Sequence, residues 1–358
     1  MSDLANVLWQ QLAALPRISE DVPPVSGELK RQPEDFVVEE VPAYLPSGQG
    51  EHLFLWVEKR GLNTQDVVTQ LCAALGADRD GAGYAGLKDK HAVTRQWLSF
   101  HTPNTPRLED LALEGVRVLE IGRHGNKLRT GHLKGNRFTI RLADVPLEHD
   151  AHVEAALARI AAYGLPNYYG PQRFGREGRN FFDAFRWIVE GGRAPGKPFL
   201  RKLFVSTLQS ALFNVWLGER IGSGTLATAV SGDVMRKEDT GGLFVSSDPT
   251  CDGPRVANWE ISATGPMFGA KMRAAEADAL ASEDALLARF GVTPEHLARV
   301  ARSGEGTRRP ARVRVSDVAW QREGADLVLS FTLPKGSYAT VLIGELTKAR
   351  ALTLGDDP

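Results

Sequence analysis

The segment Gly86-Leu87-Lys88-Asp89-Lys90-His91-Ala92-Val93-Thr94-Arg95-Gln96-Trp97 decides how the rest of the chain is read. It sets one carboxylate between two lysines, in a polar connection between two strand-like runs, Tyr84–Leu87 and Thr94–Phe100. In an extended segment successive side chains alternate faces, so Lys88 and Lys90 point away from Asp89. An exposed turn with a surface ion pair, worth about 0–1 kcal/mol, fits this spacing and is the reading that spacing alone favours. A carboxylate aimed at a substrate fits it too.

On the N-terminal side, Glu28–Val41 reads as extended, with Phe36 and Val38 on one side, and residues 52–59 form a strongly apolar strand. Asn63 is placed to cap a helix carrying Val67, Val68, Leu71 and Leu75, which Gly76 ends. On the C-terminal side, Gly135 opens a strand over Asn136–Leu142, and Asp150–Tyr163 is a helix closed by Gly164. In that strand Asn136, Phe138 and Ile140 share one face: an amide, a ring and an apolar floor. Such a face suits an unstacked base, with ring stacking worth about 1–3 kcal/mol. It equally suits a sheet core, the commoner fate of a strand phenylalanine.

The character changes at residue 165. Leu165-Pro-Asn-Tyr-Tyr-Gly-Pro-Gln-Arg-Phe-Gly175 is too rich in turn formers and rings for one element. Helices are predicted near 180–190, 197–218, 272–290 and 294–302. Two alternating runs, Val313–Trp320 and Leu327–Leu333, then predict a hairpin. The expected organisation is a strand-rich domain over 1–164, an inserted helix-rich domain over 165–310, and a return to the first domain over 311–358.

Composition narrows the class. The 358 residues predict about two domains. With 42% hydrophobic and 24% charged residues the chain is neither disordered nor membrane-spanning in character. Two distant cysteines, Cys72 and Cys251, exclude a disulfide framework and predict a reducing, cytoplasmic setting. The acidic start Met1-Ser2-Asp3-Leu4 predicts no signal peptide. The formal net charge is −1, yet the charge is unevenly spread. Residues 1–60 hold ten acids and five bases; residues 122–141 hold six bases and no acid. Residues 299–314 add Arg299, Arg302, Arg308, Arg309, Arg312 and Arg314 against Glu305 alone. Two readings of the basic runs stay open: a phosphate footprint, or merely solvated faces.

Several motif matches fail on chemistry. Gly81-Ala-Gly83-Tyr-Ala-Gly86 matches a dinucleotide loop but lacks the required strand before and helix after it. Gly191–Lys197 resembles a phosphate-binding loop, but Pro195 removes a cradling amide and Pro198 replaces the magnesium-binding hydroxyl. Asp78, Asp80 and Asp89 miss the calcium-loop ligand pattern. His149 and His152 lack a third nearby ligand, so no metal is expected. No nucleophile-elbow serine occurs.

The Gly86–Trp97 segment resembles the signature of the tRNA pseudouridine synthase D family. So do Lys30-Arg-Gln-Pro-Glu-Asp-Phe36, Leu133-Lys-Gly-Asn136-Arg-Phe138 and Pro166-Asn-Tyr-Tyr-Gly-Pro-Gln-Arg-Phe-Gly175. Ser210-Ala-Leu-Phe-Asn214 and Pro334-Lys-Gly-Ser-Tyr-Ala-Thr340 complete the set, in the family's order; residues 219–305 match only loosely. The resemblance implies an α+β pseudouridine synthase fold with a mixed, largely antiparallel sheet and a cleft, interrupted by an inserted domain. It implies isomerisation of uridine to pseudouridine at position 13 of tRNA, with the base flipped out. Asp89 matches the family's catalytic aspartate and Lys30 the basic residue paired with it. Phe36, Asn136 and Phe138 match the residues that line the uridine pocket. Isomerisation changes neither redox state nor composition, so no cofactor is expected. The expected partner is tRNA, with no membrane or small-molecule cofactor, and the chain is expected to be a monomer. The competing reading is a non-catalytic RNA-binding protein on the same scaffold; a nucleotide-dependent enzyme using Gly81–Gly86 is a further alternative.

Overall fold

The structure, a computed structural model, describes residues 2–111 and 113–349. Met1 and residues 350–358, the last part of the expected return segment, lie outside the described residues. The chain divides into two compact units. One comprises residues to Val25, Ala151–Arg314 and the segment from Ser337. The other comprises Ser26–Asp150 and Val315–Gly336.

The second unit is built on a single sheet. Its strands are β1 (Glu28–Leu29), β2 (Phe36–Pro42), β3 (His52–Arg60), β4 (Gly83–Tyr84), β5 (Val93–His101), β6 (Val116–His124) and β7 (Leu133–Ala143). A hairpin of Ser316–Glu323 and Asp326–Pro334 completes it. The order runs from the hairpin through β7, β2, β5 and β3 to β6. β1 adds to β7 and β4 to β5. Every pairing is antiparallel except β2 with β5, where Val38 stands opposite Thr94. That parallel pair makes β2 and β5 start at the same end of the sheet, which brings the segments preceding them, around Lys30 and Asp89, together.

Strand alternation sorts the two faces. Leu53, Leu55 and Val57 of β3, with Leu98 and Phe100 of β5, pack under the helix Thr64–Leu75. This helix follows Asn63 and ends at Gly76, whose φ of 60° is the left-handed stop a glycine tolerates. Phe54, Trp56 and Trp97 face the other way. The Gly81–Gly86 run is a 3₁₀ turn leading into β4, with no helix after it. Gly83 has a packing reason instead: a Cβ there would lie 2.1 Å from the Leu128 carbonyl oxygen. The same holds for Gly135, where the Leu333 carbonyl oxygen would be 2.1 Å away.

The first unit centres on the helix Pro198–Gly222, buried over most of its length. It packs with a four-stranded sheet of Leu243–Val245, Val234–Lys237, Ile261–Met267 and Thr307–Pro310. The predicted helices near 180–190, 197–218 and 294–302 are present, and the one near 272–290 starts at Ala277. The short strands of this sheet and the helix Pro249–Ala257 were not read from the sequence.

The unit boundaries differ from the expected 1–164, 165–310 and 311–358. The helix Asp3–Ala13 buries Leu8 and Leu12 in the core of the first unit, and its Trp9 stacks on Phe181 at 5.5 Å. Val25 N–H donates to the Leu346 carbonyl, and the Glu345 carboxylate accepts from Ile18 N–H and Ser19 N–H. These contacts tie the N-terminal helix to residues 151–314 and the two terminal segments to each other. Of the expected return segment, the 316–334 hairpin is what joins the large sheet.

Much of the 299–314 basic run is internal. Arg308 forms a buried ion pair with Glu283, its side chain 0% exposed. Arg312 is buried against Trp259 and donates to the Tyr163 and Val256 carbonyls, and Arg299 donates to Trp187 and Ile188 carbonyls. Arg309 lies 4.0 Å over the Tyr169 ring and donates to Asn167. This corrects the reading of that run as a phosphate-facing or solvated stretch at Arg308, Arg309 and Arg312, whereas Arg299 stays exposed. The 122–141 run is more open: Arg129, Lys134 and Arg137 are exposed, whereas Arg123 donates to the Thr102, Pro103 and Asn104 carbonyls.

Candidate active site

The Asp89 loop is pinned before it reaches Asp89. Thr64, at the start of its helix, donates from Oγ1 to Gln96 Oε1 (3.0 Å) and accepts from Lys88 N–H (3.0 Å). Gln96 Nε2 donates to the Gly86 carbonyl (3.1 Å). The loop is thus fastened to β5 and to the helix at both its entry and its middle. His91 N–H then donates to Asp89 Oδ1 (3.1 Å), a local turn that fixes the carboxylate.

Lys30 reaches the same carboxylate from the other side. Its Nζ is 3.5 Å from Asp89 Oδ2 and 4.8 Å from the Phe36 ring centroid. Lys30 sits at φ 60°, a left-handed backbone that costs a non-glycine residue roughly 1–3 kcal/mol. The flanking structure enforces it: Leu29 pairs with Leu142, and buried Asp35 accepts from Gln32 N–H (3.0 Å). Arg141 holds this segment in turn, reaching Asp35, Asp326 and Glu323. The Lys30 side chain is 9% exposed and that of Asp89 23%. The pair is sheltered, yet one partner still faces outward.

The sheet supplies the floor. Phe36, Val38 and Glu40 share one face of β2, opposite Ile140, Phe138 and Asn136 of β7. The Phe36 and Phe138 rings meet edge to face, centroids 6.2 Å apart. Phe138 stacks on Phe331 from the hairpin at 5.4 Å. Asn136 is held by its oxygen, because Lys88 Nζ donates to Oδ1 (2.8 Å). Its Nδ2 hydrogens are left as the donors of the amide.

Two charged groups here were not foreseen. Lys88 forms an ion pair with Glu40 (3.1 Å), side chains 5% and 0% exposed. Burial holds the Glu40 carboxyl above its usual range, with Lys88 opposing the shift. Lys59 is 2% exposed, and its Nζ donates to the Asp89 carbonyl (2.5 Å). Burial pushes its ammonium down to about 8, against the pull of Asp89. A signal for Lys59 was present: it continues the face of Leu53, Leu55 and Val57 and places a cation on a buried row. Glu40 had the same signal, alternating with Phe36 and Val38.

All five expected site residues therefore fall in one unit. Lys30 joins Asp89 to Phe36, Phe36 meets Phe138, and Asn136 lies two residues along the same face. Lys88 turns to Glu40 and Asn136 and not to Asp89, and Lys90 is exposed. Among the described residues no group of three or more His, Cys, Asp or Glu side chains could hold a metal ion. No helix among them is long and apolar enough to cross a membrane.

Comparison with known proteins places this arrangement. A solved structure from Methanosarcina mazei, assigned to tRNA pseudouridine synthase D (TruD), matches with a TM-score of 0.76 over 96% of this chain and 98% of its own, at 24% sequence identity. The fold is the α+β fold of the pseudouridine synthases. The family model for tRNA pseudouridine synthase D (TruD) matches residues 17–192 and 196–346. A tRNA pseudouridine synthase D from Anaeromyxobacter sp. (strain Fw109-5) is 52% identical over 341 residues, 94% of this chain and 97% of that one. Its counterpart from Thermus thermophilus is 46% identical over 338 residues, 94% and 93% of the two chains. The chain belongs to the tRNA pseudouridine synthase D family.

Proposed function

We propose that this protein isomerises uridine to pseudouridine in tRNA, at position 13, with Asp89 as the catalytic residue and no cofactor. The reaction breaks the bond from ribose C1′ to N1 and forms one from C1′ to C5. The C5 proton leaves and N1 gains one, so composition and redox state are unchanged. The observation that carries the reading is the Asp89 carboxylate, held by His91 N–H and Lys30 and still partly open to solvent.

A carboxylate at the sugar has two routes. It adds to C1′, or it removes the C2′ proton and leaves a glycal. Both require Asp89 ionised and aimed. At about 4 Å and an effective dielectric of about 20, a cation attracts a carboxylate by roughly 4 kcal/mol before desolvation and solvent screening reduce it. In this reading Lys30 supplies that attraction, and Lys59 adds positive potential beneath the loop. The flipped uridine costs a few kcal/mol to unstack, which aromatic contact and phosphate contacts offset. Phe138, with Phe36, holds the freed uracil so that C5 meets C1′ before water does. Asn136 donates from Nδ2 to a uracil carbonyl, and Lys88 is the positioning residue that turns the amide that way.

The test is direct. Purified protein is incubated with an unmodified tRNA transcript, and pseudouridine is mapped by carbodiimide modification and primer extension. A new stop immediately 3′ of position 13 is the expected result. A tRNA that binds but acquires no pseudouridine would favour the non-catalytic RNA-binding reading.

A further inference from the structure

The large sheet carries a second concentration of ionisable side chains, away from Asp89. In the β3 registers His52 pairs with His101 on one side and with His124 on the other. Three histidines thus stand in one row across three strands, where opposed Cβ atoms lie about 4.5–5.5 Å apart. The His52 and His101 ring centroids are 5.2 Å apart. Val93 and His101 mark opposite ends of β5, about 27 Å apart along an extended strand. His52 also alternates with Phe54 and Trp56, so it lies on the face opposite Lys59.

Near this row is a cavity of about 620 Å³, lined by Tyr44, His52, His124, Lys127, Arg129 and His132 among others. Its size falls in the range of pockets for small organic ligands, roughly 300–1,000 Å³. No carboxylate lines it. Glu51 instead faces His101 at 3.6 Å, and Asp80 offers Lys127 Nζ its backbone carbonyl.

The hydrogen bonds settle which ring nitrogens carry protons. Arg129 N–H donates to His132 Nδ1 (3.4 Å), and the Tyr44 hydroxyl is 2.7 Å from the same atom. An amide N–H only donates, so Nδ1 accepts and the proton of the neutral ring is on Nε2. Ser47 N–H donates to His124 Nδ1 (3.3 Å), with the same consequence. Neither Nε2–H has a hydrogen-bond acceptor among the described residues. His52 Nδ1 is buried without a hydrogen-bond partner among them, and burial, reinforced by His101, holds this imidazole below its ordinary range. Tyr44 stacks on His124 at 4.9 Å and 23°. N–H donors, two cationic side chains and a ring platform thus converge, and the one internal acceptor given to these cations is the Asp80 carbonyl on Lys127 Nζ.

We propose that this pocket binds a phosphate group and that, given the RNA substrate proposed above, the group is a phosphodiester of the RNA strand remote from the target uridine. Lys127 and Arg129 supply the charge, and His124 and His132 donate from Nε2. The Tyr44–His124 stack leaves the attached nucleoside a surface to lie against.

Histidine side-chain NMR of the full chain tests this, with inorganic phosphate and an unmodified tRNA transcript as separate probes. The Nε2 signals of His124 and His132 should move with both probes, and Arg129→Ala should abolish the phosphate-induced movement. Arg129→Ala should also lower the slope of log Kd for tRNA against log salt by about one. His124→Gln provides a second variant, and the histidine spectra of both report whether the fold is kept. Movement with phosphate but an unaltered tRNA salt slope would overturn the RNA assignment in favour of a free phosphate compound. No movement with either probe, while tRNA binds, would overturn the pocket. Failure of tRNA to bind the wild-type chain would instead count against the RNA substrate, leaving the phosphate titration to decide the pocket.

Discussion

Lys88 and Asp89 are neighbours in sequence, yet each belongs to a different ion pair. Lys88 meets Glu40 with side chains 5% and 0% exposed, and it also holds Asn136. Asp89 meets Lys30 with the carboxylate 23% exposed. The first pair is sealed into the sheet face and its polar atoms are directed at other protein groups. The second is fixed from behind by His91 N–H and by Lys59 on its carbonyl, while its outer side stays open. The difference is one of access: the buried pair sets the geometry of Asn136, and the half-open pair leaves a carboxylate oxygen facing solvent, as the proposed reaction requires.

Four changes that leave Asp89 in place would break or sharpen this contrast. The largest effect is expected from Lys88→Met, which strands Glu40 as an unpaired buried acid. A loss of about 3–5 kcal/mol in unfolding free energy should appear in urea titrations. A loss under 1 kcal/mol would mean the sealed pair is not structural. Lys30→Met should instead leave folding nearly intact and slow single-turnover pseudouridine formation by about 100-fold, or roughly 2.7 kcal/mol. An unchanged rate constant would remove Lys30 from the account. Phe138→Leu should slow the reaction by roughly ten-fold through lost stacking, with uracil release or KM as the sensitive readout.

The smallest effect is in pH dependence. Lys59 titrates near 8 in the folded chain, below the ordinary lysine value of 10.5. Raising pH through 8 therefore removes its charge from beneath Asp89, and the rate should fall about two-fold at pH 8. Stability should move the other way. Between pH 8 and 10.5 the unfolded chain binds more protons at this group than the folded one, so the contribution of Lys59 to folding rises with pH there. Lys59→Met should flatten both trends; a rate profile identical to wild type would show that Lys59 does not act on Asp89.

The contrast between the two pairs also marks what the sequence made legible. Strand alternation located Phe36 with Val38 and Asn136 with Phe138 on shared faces, and the cap at Asn63 and stop at Gly76 delimited the helix that pins the loop. The Asp89 segment stood out because its charged triplet interrupts two apolar runs. Partners were another matter. Glu40 and Lys88 lie far apart in sequence and meet because the loop before β5 folds back over the face of β2, which no local signal reveals. Lys59 was visible as a cation on an apolar row, but its target depends on where the loop folds back. The unit boundary was hidden for the same reason, since Trp9 finds Phe181 across a long stretch of chain. Charge counting found the 299–314 run but not its environment, which consumes Arg308 and Arg312 in the core. Short strands such as Val234–Lys237 and Leu243–Val245 hold too few residues for a periodic signal.

The central claim is that the Asp89 carboxylate performs the chemistry and does not hold the fold. It is tested most directly by Asp89→Asn at enzyme concentrations that saturate an unmodified tRNA, comparing binding, melting and pseudouridine content with wild type. The account predicts wild-type binding and melting with no pseudouridine formed. Turnover at the wild-type rate in Asp89→Asn would contradict it.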